Sequence, residues 1–150
     1  MRDPGPTTYR LYVMAPDVTD VVTHAAGLIV DRVMAGWRVS VALVDAHDAW
    51  ALRILGADTV DLGPELDSEC CALAVASELY AEEGLPATGG TDVLVWGESS
   101  HPGVRHALSA AARAFKAHAL AAVGAPASSV DGFEDFCAAA GVQYRARVAR

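Results

Sequence analysis

Residues 37–45, Trp-Arg-Val-Ser-Val-Ala-Leu-Val-Asp, form a near-continuous apolar run closed by a carboxylate, directly after a stretch whose apolar residues recur at helical spacing. Such a run reads as a parallel strand covered on both faces, and parallel neighbours need a crossover between them, usually a helix. The same alternation extends along the chain. It predicts an α/β fold: a three-layer Rossmann-like sandwich around a mostly parallel sheet of about five strands.

The first strand is expected over 8–16. Asp17 then caps a helix over 18–35, with Asp20 three residues on in an approximate capping box. Its apolar face carries Val18, Val21, Val22, Ala25, Leu28, Ile29 and Val33, and Gly36 ends it. A short helix over 48–55, a brief strand over 58–62, a helix over 64–83 and a strand over 92–97 follow. A long helix over 102–123 comes next, then a helix over 131–140 and an edge strand over 142–148. Residues 1–8 are expected to be a flexible tail and 9–150 a single domain.

Length and composition fit that picture. A chain of 150 residues with 53% hydrophobic and 20% charged residues can build one well-buried core. No segment has the roughly 20 apolar residues of a membrane span, and the N-terminus lacks a signal-peptide layout, so a cytoplasmic protein is expected. Three cysteines, Cys70, Cys71 and Cys137, form neither a C-x-x-C pair nor an even disulfide framework. Abundant alanine, no asparagine and one lysine beside ten arginines fit a GC-rich bacterial genome. A formal charge of −8 argues against nucleic acid as a partner.

In open α/β sheets ligands bind beyond the carboxyl ends of the strands, where strand order reverses. The loops Ala-Pro-Asp-Val-Thr-Asp, Asp-Ala-His-Asp and Gly-Glu-Ser-Ser-His converge there if the first strand and the 92–97 strand flank the reversal. They bring Asp17, Asp20, Asp45, His47, Asp48, Glu98, Ser99, Ser100 and His101 toward one edge. Of these, Asp17, Asp45, His47, Glu98, Ser99, Ser100 and His101 are the candidate ligand-binding residues. Asp45 stands where a ribose-binding acid lies in a Rossmann unit, but the first loop has no glycine to admit a pyrophosphate, which argues against NAD or FAD. Ser99 has Gly97 two residues before it and His101, instead of glycine, two after, so it does not complete a nucleophile elbow. Ser99 or Ser100 reads instead as a helix cap ahead of Pro102.

Asp17, Asp45, Glu98, His47 and His101 are also ligand types for zinc, manganese or magnesium. Pro16-Asp17 after the first strand, the 35–44 strand segment and the His-Pro-Gly-Val-Arg-His segment resemble, in degenerate form and over about half the chain, PIG-L-type zinc-dependent deacetylases. The family's first motif begins with a ligand histidine followed by proline and paired aspartates. Ala15 replaces the histidine and Val18 the second aspartate, and Gly103-Val104 occupy the place of a later Asp-His pair. The resemblance therefore implies the scaffold without its metal ligands.

On the expected 102–123 helix, Arg105, Arg113 and Lys116 group on one face, away from the apolar stripe of Val104, Leu108, Phe115 and Ala119. That strip would dock an acidic protein, or the acidic Glu78, Glu82 and Glu83 of a second copy in a homodimer. The leading expectation is a non-catalytic or regulatory binding module of unknown cofactor. The alternatives are a metal-assisted hydrolase with Asp17, Asp45 and His101 as ligands and Glu98 as base, and a homo-oligomeric assembly protein.

Overall fold

The computed structural model describes residues 9–61, 72–79, 92–97, 103–126 and 130–138. In chain order the elements are β1 (Arg10–Ala15), α1 (Val18–Met34), β2 (Arg38–Leu43), α2 (Ala51–Leu55), β3 (Asp58–Val60), β4 (Ala72–Ala76), β5 (Asp92–Trp96), β6 (Gly103–Ala107), α3 (Ala110–Ala122) and β7 (Phe133–Ala138). Among the described residues they form one seven-stranded sheet ordered β3-β2-β1-β4-β5-β7-β6. The first five strands are parallel, and β7 runs antiparallel between β5 and β6. The α/β class and mostly parallel sheet are those expected from the alternation, with more strands than the five anticipated.

The first βαβ unit forms as its sequence dictates. Asp17 is extended at φ −156°, and its Oδ1 accepts the Asp20 N–H at 2.9 Å, so it caps α1. At the other end Gly36 takes φ +96°, the left-handed backbone that favours glycine. The Trp37 and Gly36 N–H groups close back onto the carbonyls of Arg32 and Val33 in a Schellman motif. β1 then pairs with β2 in register from Arg10 beside Arg38 to Ala15 beside Leu43.

Alternate residues of the central strands face opposite layers. Val13 and Ala15 join Val22, Ile29 and Leu52 in the core beneath α1, α2 and α3. Met14, Leu73, Val75 and Val95 form a second buried cluster.

Three segments depart from the expected pattern. β4 lies inside the stretch expected to be a helix over 64–83. Ala-Leu-Ala-Val-Ala favours a helix by local propensity, but here it is buried at every position and paired on both sides, to β1 and β5, so tertiary context decides. β6 takes the place of the start of the expected 102–123 helix, about two turns of it, and α3 starts at Ala110 behind a different cap, Ser109, whose Oγ accepts the Ala112 N–H at 3.0 Å. β7 replaces the expected 131–140 helix. Its side chains alternate, with Phe133 and Asp135 exposed and Glu134 and Phe136 buried, which is the period of a strand. The strand anticipated over 142–148 lies outside the described residues.

β7 also engages α1. The Glu134 carboxylate accepts the N–H groups of Gly27 at 2.6 Å and Leu28 at 2.8 Å, and it pairs with Lys116 Nζ at 2.8 Å. Lys116 Nζ in turn donates to the Thr23 carbonyl at 2.8 Å. In a regular helix the Gly27 N–H points at the Thr23 carbonyl. Both ends of that rung are thus engaged by one buried ion pair. The carboxylate meets donors as it would at a helix N-terminus, and the ammonium meets an acceptor as it would at a C-terminus.

Candidate functional site

Strand order reverses at β1, which has β2 on one side and β4 on the other. The carboxyl ends of β1, β2, β4 and β5 therefore define the edge where an open α/β sheet holds ligands. The β2 loop is tied to the β1 loop beyond the last strand pair: Val44 N–H donates to Ala15 O at 3.1 Å, and Asp45 N–H to Pro16 O at 2.8 Å. This brings Asp17 and Asp45 onto adjoining loops, both exposed. The loops after β4 and β5 also touch, since a Cβ built on Gly97 would lie 3.1 Å from Ser77 Oγ.

Each carboxylate at this edge also shapes its own loop. Asp17 caps α1. Asp45 Oδ1 accepts the His47 N–H at 3.0 Å, an Asx turn that fixes the start of the β2 loop. Asp48 takes φ +63°, a left-handed conformation that Asp tolerates better than most residues, and its carboxylate lies 3.6 Å from His47 Nε2 in solvent. Asp20 reaches across to β5: its Oδ2 accepts Trp96 Nε1–H at 2.8 Å, and its Oδ1 lies 3.7 Å from His24 Nε2. The His24 ring stacks on Trp96 with centroids 6.3 Å apart.

Asp17, Asp20, Asp45, His47 and Asp48 thus sit on the predicted edge. Glu98, Ser99, Ser100 and His101 lie outside the described residues. Ala15 and Val18, which stand at two ligand positions of the PIG-L-type motif, are buried at 0% and 2% exposure, with apolar side chains packed into the core. Among the described residues no three His, Cys, Asp or Glu side chains come together as a metal site.

The expected basic strip does not form. Arg105 lies on β6, its Nε 2.8 Å from Asp135 Oδ1 and its guanidinium 4.9 Å from the Phe133 ring centroid. Lys116 is 4% exposed and committed to Glu134, whereas Arg113 is exposed on α3. The three fail to share a face because the helix begins at Ala110, which removes Arg105 from it, and because Lys116 points into the core.

A second polar cluster joins α1 to the start of α3. Asp31 Oδ2 lies 2.8 Å from His106 Nε2, Asp31 Oδ1 accepts Ser109 Oγ–H at 2.5 Å, and Asp31 Oδ2 accepts the Ser109 N–H at 3.2 Å. Burial opposes ionisation of Asp31. The bonds from Ser109 and His106 outweigh it and hold the carboxyl below its ordinary value. The residue types are those of a hydrolytic triad, but the aspartate lies between the other two. The serine proton is therefore directed to the carboxylate and not to the imidazole, as nucleophilic catalysis would need. Local sequence carries no signal for this cluster, which joins residues about 75 positions apart.

No helix of the described residues is long and apolar enough to cross a membrane. No protein-family model matches the chain, and no curated protein is significantly similar to it in sequence. Solved structures are similar in fold. The conserved protein TT1542 from Thermus thermophilus superposes with a TM-score of 0.58 at 14% identity, over 85% of this chain and 93% of that one. A deacetylase triple mutant from the teicoplanin biosynthetic pathway superposes with a TM-score of 0.53 at 10% identity, over 75% of this chain and 81% of that one. The faint resemblance to PIG-L-type deacetylases read from Pro16-Asp17 and its neighbours is thus matched by similarity in fold to a deacetylase. At these identities the likeness establishes the fold alone.

Proposed function

We propose that the protein is a cytoplasmic, non-catalytic binding module that holds a small ligand at the carboxyl edge of β1, β2, β4 and β5. The observation that carries this reading is the contrast at the end of β1. The loops of β1 and β2 are tied together and present Asp17 and Asp45 to solvent, while the neighbouring positions that would make a metal centre are the buried apolar Ala15 and Val18. Carboxylates at such an edge suit a ligand that offers amine or hydroxyl donors. His47 and, following β5 in the sequence, Glu98, Ser99, Ser100 and His101 complete the proposed ligand-binding set.

A thermal-shift screen of amines, amino sugars, nucleotides, sugar nucleotides, acyl carriers and divalent metals tests this. A ligand at 100 times its dissociation constant stabilises the fold by about 2.7 kcal/mol. The expected shift is lost in Asp45→Ala. Stoichiometric metal in the purified protein, or a turnover abolished by Asp45→Ala or His101→Ala, would replace this reading with the metal-assisted hydrolase in which Asp17, Asp45 and His101 are ligands and Glu98 the base.

A further inference from the structure

The β1-α1-β2-α2 unit is polar along its strands. β1 begins at Arg10 and is followed by Asp17; β2 begins at Arg38 and is followed by Asp45. The helices repeat the pattern with opposite direction in space. α1 has Asp17 and Asp20 at its start and Arg32 in its last turn, and Arg53 lies in the last turn of α2. Each choice complements a helix dipole. Their sum is a unit whose amino end carries Arg10, Arg32, Arg38 and Arg53 against two acids, Asp58 and the Asp31 that is already engaged by His106 and Ser109. At the carboxyl end, the described residues of the loops after β1 to β4 include Asp17, Asp45, Asp48, Asp61 and Glu78 and no lysine or arginine.

Dipole complementation does not explain the apolar side chains left in solvent at both ends. At the amino end Tyr9 is 51% and Met34 63% exposed; at the carboxyl end Val44 is 60% and Trp50 56% exposed. The amino-end group is ordered: Tyr9 stacks on Trp37 with centroids 5.2 Å apart, and the Arg32 guanidinium lies 5.1 Å from the Trp37 centroid. The amino end is thus a small aromatic centre with a basic rim, and the carboxyl end exposes Val44 and Trp50 among acidic side chains. An apolar centre within a charged rim is the anatomy of a protein interface, and opposite rims set its orientation.

We propose that the occupant of the amino end is a second copy of this chain, docked head to tail, with Arg38 and Arg53 of one copy facing the Asp17 and Asp45 loops of the next. Both halves of the complementary surface are present on the same molecule, which favours a second copy over an unrelated acidic partner. Because the two surfaces differ, the contact is heterologous and propagates from copy to copy. It needs no ligand and stands independently of the binding function proposed above, although it uses the same acidic edge.

Sedimentation velocity of the full chain tests this across protein concentration, at low and high sodium chloride. The wild type should associate with rising concentration and dissociate as salt screens the rims. The variants Arg38→Glu/Arg53→Glu and Asp45→Arg alter solvent-facing side chains, and matching melting curves would verify that they fold. Each should weaken association by at least about tenfold, the effect of losing some 1.4 kcal/mol. An equimolar mixture of the two should associate again, because the acidic end of the first still matches the basic end of the second and the reversed charges at the other two ends match each other. A wild type that stays monomeric at every concentration, an assembly indifferent to these substitutions, or a mixture that fails to pair would overturn the proposal.

Discussion

Lys116 and Glu134 meet 2.8 Å apart in the core, at 5% and 1% side-chain exposure, and between them they hold a carbonyl and two N–H groups of α1. Two facing charges in a low-dielectric interior are costly to desolvate, and the cost is offset only when the remaining donors and acceptors are satisfied. Here the backbone of α1 supplies those partners. The pair therefore joins α1, α3 and β7, elements far apart in sequence, at one point.

That arrangement predicts asymmetric costs. Glu134→Leu leaves the Lys116 ammonium buried without its counter-charge and should destabilise the fold by about 3–5 kcal/mol, as should Lys116→Met. The double variant removes both charges and should cost clearly less than the sum of the two. Urea denaturation of the four proteins measures the coupling. Additive losses would show that the two side chains contribute independently.

Gly27, whose N–H bonds to Glu134, lies beside the same ion pair. A Cβ built there would overlap the Leu108 side chain at Cγ as well as at both methyl groups, so simple rotation of the end of that side chain does not clear it. Gly27→Ala should destabilise by about 1–3 kcal/mol, although alanine is the better helix former. In a Leu108→Ala background the same substitution should be nearly neutral or stabilising. Thermal melts of the pair of backgrounds check this, and an equal loss in both would exclude the steric cause.

Acid should act through Asp31. Its folded pKa lies below the ordinary 3.8, so the unfolded chain binds more protons over that interval. Stability from this group is therefore present above the unfolded value and lost as pH falls through the folded one. Asp31→Asn should lower stability at neutral pH and flatten the fall below about pH 4, seen as convergence of the urea midpoints of variant and wild type. Ser109→Ala removes both a bond to Asp31 and the cap of α3, at a cost of about 0.5–2 kcal/mol. Midpoint curves that remain parallel down to about pH 2.5 would rule out this role for Asp31.

What was legible in the sequence follows from the range over which each signal acts. The cap at Asp17, the period of α1 and the stop at Gly36 are local, and each reappears in the structure. The reading fails at β4, β6 and β7, where pairing decides. Ala-Leu-Ala-Val-Ala becomes a strand because β1 and β5 flank it, and Phe-Glu-Asp-Phe-Cys-Ala can be read with either period until β5 and β6 fix it. The same limit applies to the candidate site. Asp17 and Asp45 are visible as acids at strand ends, but the Asp20 to Trp96 bond spans 76 positions and exists only once β5 is placed.

That bond makes Trp96 a reporter for the proposed binding edge. Trp96 is 1% exposed, with its indole N–H on Asp20 in the first turn of α1 and its ring against His24 and, edge-on, Phe136 at 6.4 Å. A ligand that engages the Asp17 loop pulls on the turn that contains Asp20, and so changes the polarity around the indole without touching it. Trp96→Phe keeps most of the apolar volume but leaves one lone pair of Asp20 to water, which should cost about 1–2 kcal/mol. Tryptophan emission should shift on addition of a ligand found by the thermal screen. With the exposed Trp50 replaced by phenylalanine the shift should persist, and with Trp96 replaced it should disappear. If only the Trp50→Phe variant loses the signal, the ligand contacts the β2 loop without moving α1, and the Asp20 to Trp96 bond takes no part in binding.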